Sequence, residues 1–209
     1  DDAVRAILFI ADSQRMRIDE LRGTVEGNQR AMEHFQRAIE EDPSLALAWA
    51  GMALSRAYLT GFDDEDFAPG YEEARASALR ALELDPLAVA AWCARGAALF
   101  ERGRCEEALR CYDRAIEIDP LRAELHNNRG HCLHRIGRIE ESIRSYDKAL
   151  EIFESQLGNA HDLVGQVRGN RARAYYDLGR YSDSREDGRQ ALRVLVLGRR
   201  RAVAIDPFY

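Results

Sequence analysis

Strand-forming patterns are nearly missing from this 209-residue chain: only Leu195-Val196-Leu197 and Ala202-Val203-Ala204-Ile205 read as extended runs, both short and both late. A sheet-based fold is thereby excluded. No apolar run nears the roughly 20 residues that a membrane-spanning helix requires. The chain opens on Asp1-Asp2 rather than on the basic region of a signal peptide. The expected setting is cytoplasmic, without a membrane partner, and the abrupt start suggests a fragment of something longer. Lysine is almost absent: 29 of the 30 basic residues are arginine, a weak sign of a GC-rich bacterial genome. The four cysteines, Cys93, Cys105, Cys111 and Cys132, lack metal-finger spacing. In a chain with this much apolar content they are expected as buried thiols in a reducing compartment, not as bridges.

Catalytic signatures are also missing. No GxSxG, P-loop or GxGxxG stands in a strand–turn–helix context, so no enzyme activity and no cofactor are expected. The formal net charge is −6, and its spread is uneven. Residues 1–100 hold 18 acids against 10 bases, whereas residues 101–209 hold 18 against 20, with Arg199-Arg200-Arg201 near the end. A nucleic-acid binder wants a strongly basic domain with aromatic or glycine-rich readout elements, and this balance argues against one.

What the chain does have is repetition. Trp92-x2-Arg95-Gly96-x2-Leu99 is followed by Ala108-x3-Tyr112-x2-Ala115-x4-Pro120, and Pro86 lies 34 residues before Pro120. His126-x2-Arg129-Gly130-x2-Leu133 with Ser142-x3-Tyr146-x2-Ala149 repeats the pattern at the same period. Upstream, Trp49-x2-Met52-Ala53 leads to Ala74-x3-Ala78-x2-Ala81-x4-Pro86. Nine extra residues sit in the Thr60–Gly70 stretch, where Pro69 and Gly70 are expected to break helix. Ala31-x3-Phe35-x2-Ala38-x4-Pro43 reads as the second helix of a first copy, with Val4 to Met16 as its partner and a loop around Gly23 to Asn28. Arg168-x2-Arg171-Ala172-x2-Tyr175, with Ser184, Gly188 and Ala191, makes a fifth, weaker copy.

This wording resembles the tetratricopeptide repeat (TPR), with Arg95 where leucine is usual and Leu99 where tyrosine is usual. The resemblance spans roughly residues 3 to 197 and is strongest from 89 to 154. It implies an all-α fold, a right-handed α-solenoid of about five TPR helix-turn-helix hairpins: repeats at 3–45, 46–88, 89–122, 123–156 and 165–198, a tail at 199–209, and one array over 1–209. A single hairpin cannot bury its apolar face alone and must stack. Close approach within a hairpin needs small facing residues, so Gly96 is expected against Ala108, Gly130 against Ser142, Ala53 against Ala74, and Ala172 against Ser184. Trp49, Trp92, Phe35, Tyr112 and Tyr146 are expected between neighbouring hairpins. Asp-Pro at 42–43, 85–86 and 119–120 ends each second helix, because proline disfavours a helical predecessor.

The metal-like features are few. His131-x2-His134, with His126 and Cys132 nearby, places two imidazoles on one face, but zinc wants three or four ligands and a second shell. Asp63-Asp64-Glu65-Asp66 lacks the alternating ligand order and glycine of an EF-hand loop. The expectation is no metal.

TPR arrays bind proteins, and the resemblance implies a protein or peptide partner held on the concave face, lined by the first helix of each hairpin. In that family the residue two before the small Gly/Ala points into the groove; here these are Gly51, Ala94, Asn128 and Asn170. Helical spacing adds Asn127, His131, Arg135, Arg173 and Tyr176 to the candidate partner-binding residues, and Leu47, Leu54, Tyr58, Ala90, Ala97 and Phe100 upstream. The groove thus reads apolar at one end and polar-basic at the other. The carboxylate clamp of cochaperone TPR domains fails here. With Asn128 as its middle residue, the flanking pairs would be Cys93 with Ala97 and Gln166 with Asn170, none of them basic. The stretch from Gly23 through Pro43 to Ala53 resembles the TPR tails of bacterial adenylate cyclases and winged-helix transcriptional regulators. That likeness implies, as an alternative, a regulatory or sensory tail of a larger signalling protein.

Overall fold

In a computed structural model of the chain, residues 25–60 and 67–205 are described. Every regular element among them is helical: α1 (Val25–Glu41), α2 (Ala46–Thr60), α3 (Phe67–Leu84), α4 (Val89–Glu101), α5 (Cys105–Ile118), α6 (Ala123–Arg135), α7 (Ile139–Leu157), α8 (Asp162–Asp177) and α9 (Tyr181–Ile205). The fold is all-α, built of helical hairpins. Two compact units are present, Asp1–Ile118 and Asp119–Tyr209. The expected partner helix at Val4 to Met16 and the acidic run Asp63–Asp66 lie outside the described residues.

Two devices shape the turns. After α4, α6 and α8 the chain reads Gly-Arg at 103–104, 137–138 and 179–180. These glycines adopt φ of 74°, 84° and 78°, a left-handed conformation that costs glycine little. The following arginine amide reaches back to the helix, Arg104 N to Leu99 O at 2.9 Å and Arg138 N to Leu133 O at 2.9 Å, as in a Schellman cap. Each of these arginines then pairs with a carboxylate three residues on: Glu107, Glu141 or Asp183.

The second device is the Asp-Pro stop. Asp42, Asp85 and Asp119 each accept through Oδ1 from the backbone N–H two residues later, Ser44, Leu87 and Leu121. This is an Asx turn, so the aspartate shapes the bend as much as the proline does. At Asp42 the Ser44 hydroxyl and amide hold the carboxyl below its ordinary range. Six residues after each proline a ring N–H closes the bend: Trp49 Nε1 donates to Pro43 O (3.0 Å) and Trp92 Nε1 to Pro86 O (2.9 Å). His126 Nε2 takes the same place on Pro120 O at 2.9 Å. Trp49 and Trp92 are therefore bend clasps as well as packing residues.

Several boundaries depart from expectation. Val25 to Asn28 is helical rather than loop. Phe67 to Gly70 also belongs to a helix, because proline is tolerated where no N–H partner is available in a first turn. The late extended-looking runs fall inside α9, which takes in the start of the tail through Ile205.

The core of the first unit is alanine-rich. Ala53, Ala78 and Ala94 cluster with no exposure, as do Ala50, Ala81 and Ala91, and Phe35 packs with Ala38, Ile39, Ala48 and Met52. In the second unit Ile143, Tyr146, Leu150 and Phe153 of α7 bury against Val164, Val167 and Ala174 of α8. The glycines expected opposite Ala108 and Ser142 have a different use. A Cβ on Gly96 would lie 2.8 Å from the Tyr112 ring, and one on Gly130 only 2.5 Å from that of Tyr146. The ring of each hairpin's own second helix takes that room, so Tyr112 and Tyr146 pack within hairpins. Phe35 does span hairpins, lying 2.3 Å from a Cβ built on Gly51.

Candidate functional site

Each expected groove position has a definite place. Ala94 is fully buried with Ala53 and Ala78, and Gly51 is covered by Phe35. Neither lines a groove: where first helices approach this closely, the position is a packing contact. Of the upstream residues, Leu47 and Leu54 are exposed, whereas Ala90, Ala97 and Phe100 are half-buried. The side chain of Tyr58 lies outside the described residues.

In the second unit the equivalent position is polar. Asn170 of α8 points at α6, where its Nδ2 donates to Asn127 Oδ1 (3.1 Å) and to His131 Nε2 (3.2 Å). Rather than pointing into an open groove, Asn170 joins Asn127 and His131, and these three candidate residues knit two helices together. Since His131 Nε2 accepts, the neutral ring carries its proton on Nδ1, 3.4 Å from the Tyr146 hydroxyl oxygen. The two rings meet edge to face at 5.7 Å. Burial, with His134 nearby, pulls the His131 pKa below its ordinary value and favours this neutral form.

The knot leaves capacity over. Each side-chain amide has two donor hydrogens and an acceptor oxygen. Asn170 Oδ1 and Asn127 Nδ2 make no bond to a described residue, so one acceptor and one donor are held ready on adjacent helices. Asn128 is half-buried on the same helix as Asn127, and Arg135, Arg173 and Tyr176 are exposed around them. Arg173 makes no ion pair with a described residue. The surface is thus polar and cationic, with its amides fixed in place before any partner arrives.

The histidines go separate ways. His134 Nε2 sits 2.8 Å from Asp177 Oδ2, His131 joins the amide knot, and His126 clasps Pro120. Among the described residues no group of three or more His, Cys, Asp or Glu side chains is placed to hold a metal ion. None of the four cysteines is in a disulfide; three are buried and Cys93 is half-buried. Burial pushes the Cys111 thiol up, away from the reactive thiolate. Among the described residues no helix is long and apolar enough to cross a membrane.

The sequence pattern did not reveal the buried ion pair behind this surface. Arg171 grips Asp187 of α9 with two bonds (Nε to Oδ2 2.7 Å, Nη2 to Oδ1 2.8 Å) and reaches Asp147 of α7 at 2.6 Å. Asp187 is 7% exposed. The one available signal was arginine standing where the repeat wants leucine.

An all-α chain of stacked helical hairpins defines a repeat-type fold. Comparison with known proteins specifies the repeat. A tetratricopeptide repeat model matches residues 121–195 and a TPR repeat model matches 96–137, so the chain carries TPR repeats across that stretch. No curated protein sequence matches the chain. Solved structures resemble it in fold. MamA 41-end from Desulfovibrio magneticus RS-1 is 15% identical, covering 95% of this chain and 96% of its own, with a TM-score of 0.59. YrrB, described as a TPR protein with an unusual peptide-binding site, is 20% identical over 81% of this chain and 79% of its own, with a TM-score of 0.57. BtubC (BKLC) from P. vanneervenii is 19% identical over 84% and 73%, with a TM-score of 0.64.

Proposed function

We propose that this chain is a non-enzymatic interaction module that holds an extended or helical segment of a partner protein against the α6–α8 surface. The observation that carries the reading is the Asn127–Asn170–His131 knot, which leaves an oriented donor and acceptor beside Asn128, Arg135, Arg173 and Tyr176. A donor and an acceptor side by side suit a peptide unit whatever its side chain, and the nearby arginines favour acidic residues in the segment. Nucleic acid is not the intended partner, given the net charge of −6. A cytoplasmic, bacterial setting belongs to the same reading.

The test is titration of a partner identified by affinity capture. Replacing Asn128 and Asn170 by alanine removes two neutral bonds of about 1 kcal/mol each, a weakening of roughly thirtyfold. Arg173→Glu weakens an acidic segment further and flattens the salt dependence of its binding. Because Asn170 also ties α8 to α6, its loss costs about 1 kcal/mol of stability as well, so affinity is compared under conditions where both proteins are fully folded. A partner whose affinity ignores both changes does not use this surface. The likeness of residues 23–53 to the TPR tails of adenylate cyclases and winged-helix regulators supports a second reading, a sensory tail of a larger protein. It is tested by whether the gene encodes such an output domain upstream of Asp1.

A further inference from the structure

The seat that α8 occupies on the α6–α7 hairpin recurs, open, on the next hairpin. Positions 42 residues apart correspond, as Asn128 does to Asn170. On the covered hairpin, Tyr146 and Leu150 are 1% and 4% exposed, Ile139 packs beside them, and Asn127 and His134 bond to α8. Their counterparts are Gly188, Leu192, Tyr181, Gly169 and Tyr176. Leu192 is 64% exposed and Tyr176 62%, and a Cβ on Gly188 or Gly169 would meet no atom within 4 Å. Where the Tyr146 ring fills its hairpin, the last one has a depression of about 480 Å³ lined by Ala172, Arg173, Tyr176, Asp177, Ser184 and Gly188.

The charge around this seat has one sign to spare. Every carboxylate from Asp177 onward in α8 and α9 is engaged: Asp183 with Arg180, Glu186 with Arg189 and Asp187 with Arg171 in ion pairs, and Asp177 in a 2.8 Å contact with His134 Nε2. Arg173 beside the depression and Arg185, three residues before Gly188 on the outer edge of the Tyr181–Gly188–Leu192 stripe, pair with no described residue. We infer that the outer face of the α8–α9 hairpin docks an amphipathic helix of a partner protein, with one bulky apolar side chain between Ala172 and Gly188 and acidic residues on its flanks. The precedent is α8 itself, a helix that lays Val164, Val167 and Ala174 on the equivalent face and brings Asp177 to its edge. Complementary charge selects the partner and speeds its arrival. This seat is separate from the α6–α8 amide surface, although Arg173 and Tyr176 border both.

The probes are two synthetic helical peptides of about 18 residues, or five turns. They share one leucine/phenylalanine face and carry either glutamate or lysine elsewhere. Fluorescence anisotropy against the full chain is expected to show saturable binding of the glutamate peptide and at least about tenfold weaker binding of the lysine peptide. Gly188→Phe fills the depression from within and should weaken the glutamate peptide at least about tenfold without lowering the unfolding midpoint, since its Cβ enters open space. Arg185→Glu should weaken it too, and Arg135→Glu, on the amide surface, should not. Equal affinity for both peptides, no saturable binding, or indifference to Gly188→Phe overturns the inference. Sensitivity to Arg135→Glu with indifference to Gly188→Phe places the peptide on the amide surface, which refutes this seat and leaves the proposed function standing. A chain dimer abolished by Gly188→Phe assigns the seat to a second copy and refutes a partner helix.

Discussion

Replacing Arg171 by methionine isolates the least replaceable interaction in the second unit. The change leaves most of the side chain's volume but removes the charge. Asp187, 7% exposed, then loses both of its bonds to that guanidinium, whereas Asp147, 49% exposed, simply returns to water. Breaking a buried pair from one side costs about 3–5 kcal/mol, because the surviving charge stays desolvated. An exposed pair is worth about 1 kcal/mol or less. Arg171→Met should therefore cost about 3–5 kcal/mol, Asp187→Ala a similar amount, and Asp147→Ala under about 1 kcal/mol.

Urea unfolding followed by helical circular dichroism measures this. With a slope of about 2 kcal/mol/M, the midpoint of the transition assigned to the second unit should fall by about 1.5–2.5 M for Arg171→Met. The double change Arg171→Met with Asp187→Leu is the decisive control. It removes both charges, and apolar replacements of a buried pair are often neutral or better, so most of the loss should return. A double variant no more stable than Arg171→Met alone would refute the reasoning, since the penalty would then come from packing and not from an orphaned carboxylate.

The same glycine substitution should have opposite signs at two sites of the second unit. Gly130→Ala drives a methyl into the Tyr146 ring and should cost about 1–3 kcal/mol, while Gly188→Ala, facing open space, should gain about 0.5–1 kcal/mol of helix stability. Both are read from urea midpoints, and equal signs would contradict the packing described. His131 titrates below its ordinary pKa in the folded chain, so between that lowered value and about 6.5 the unfolded chain binds more protons. Stability from this group is complete above about pH 6.5 and is lost as the pH falls through the window, and His131→Gln should flatten that part of the stability–pH curve. Trp92→Phe removes the 2.9 Å bond to Pro86 O and should cost about 1 kcal/mol beyond lost packing; full stability in that variant would make the clasp incidental.

The helix pairs were legible because their punctuation is local. A proline at a 34-residue interval and a glycine that must adopt positive φ each act within one turn of chain, so the sequence states them directly. The seats between helices were harder. Small residues in register were read as lying opposite other small residues, but Gly96 and Gly130 make room for a tyrosine ring reaching from the facing helix. Position also failed as a guide to orientation. Gly51, Ala94 and Asn170 correspond along the sequence, yet Ala94 is buried, Gly51 lies against the Phe35 ring and Asn170 bonds across to Asn127, because each position meets a different neighbour. The ring clasps on Pro43, Pro86 and Pro120 were readable in retrospect. A ring donor six residues after each Asp-Pro is a repeated pattern, and His126 keeps it while looking like a metal ligand.

The two hairpins of the second unit show how one architecture can be fastened in two ways. In α6–α7 the fastening is apolar: Tyr146 lies over Gly130, and Arg129 reaches the Ser145 hydroxyl at 2.7 Å. In α8–α9 the ring is gone, Gly188 stands in its place, and the arginine one position before Ala172 takes a carboxylate, Asp187, one position before Gly188. Serine and aspartate thus exchange at 145 and 187 just as tyrosine and glycine exchange at 146 and 188. Loss of the ring removes apolar fastening from the hairpin, and the buried ion pair replaces it with a directional one. A ring fills the space it bonds across; an ion pair holds the helices while leaving that space empty. The same pair of exchanges therefore keeps α8 and α9 together and opens the depression between Ala172 and Gly188.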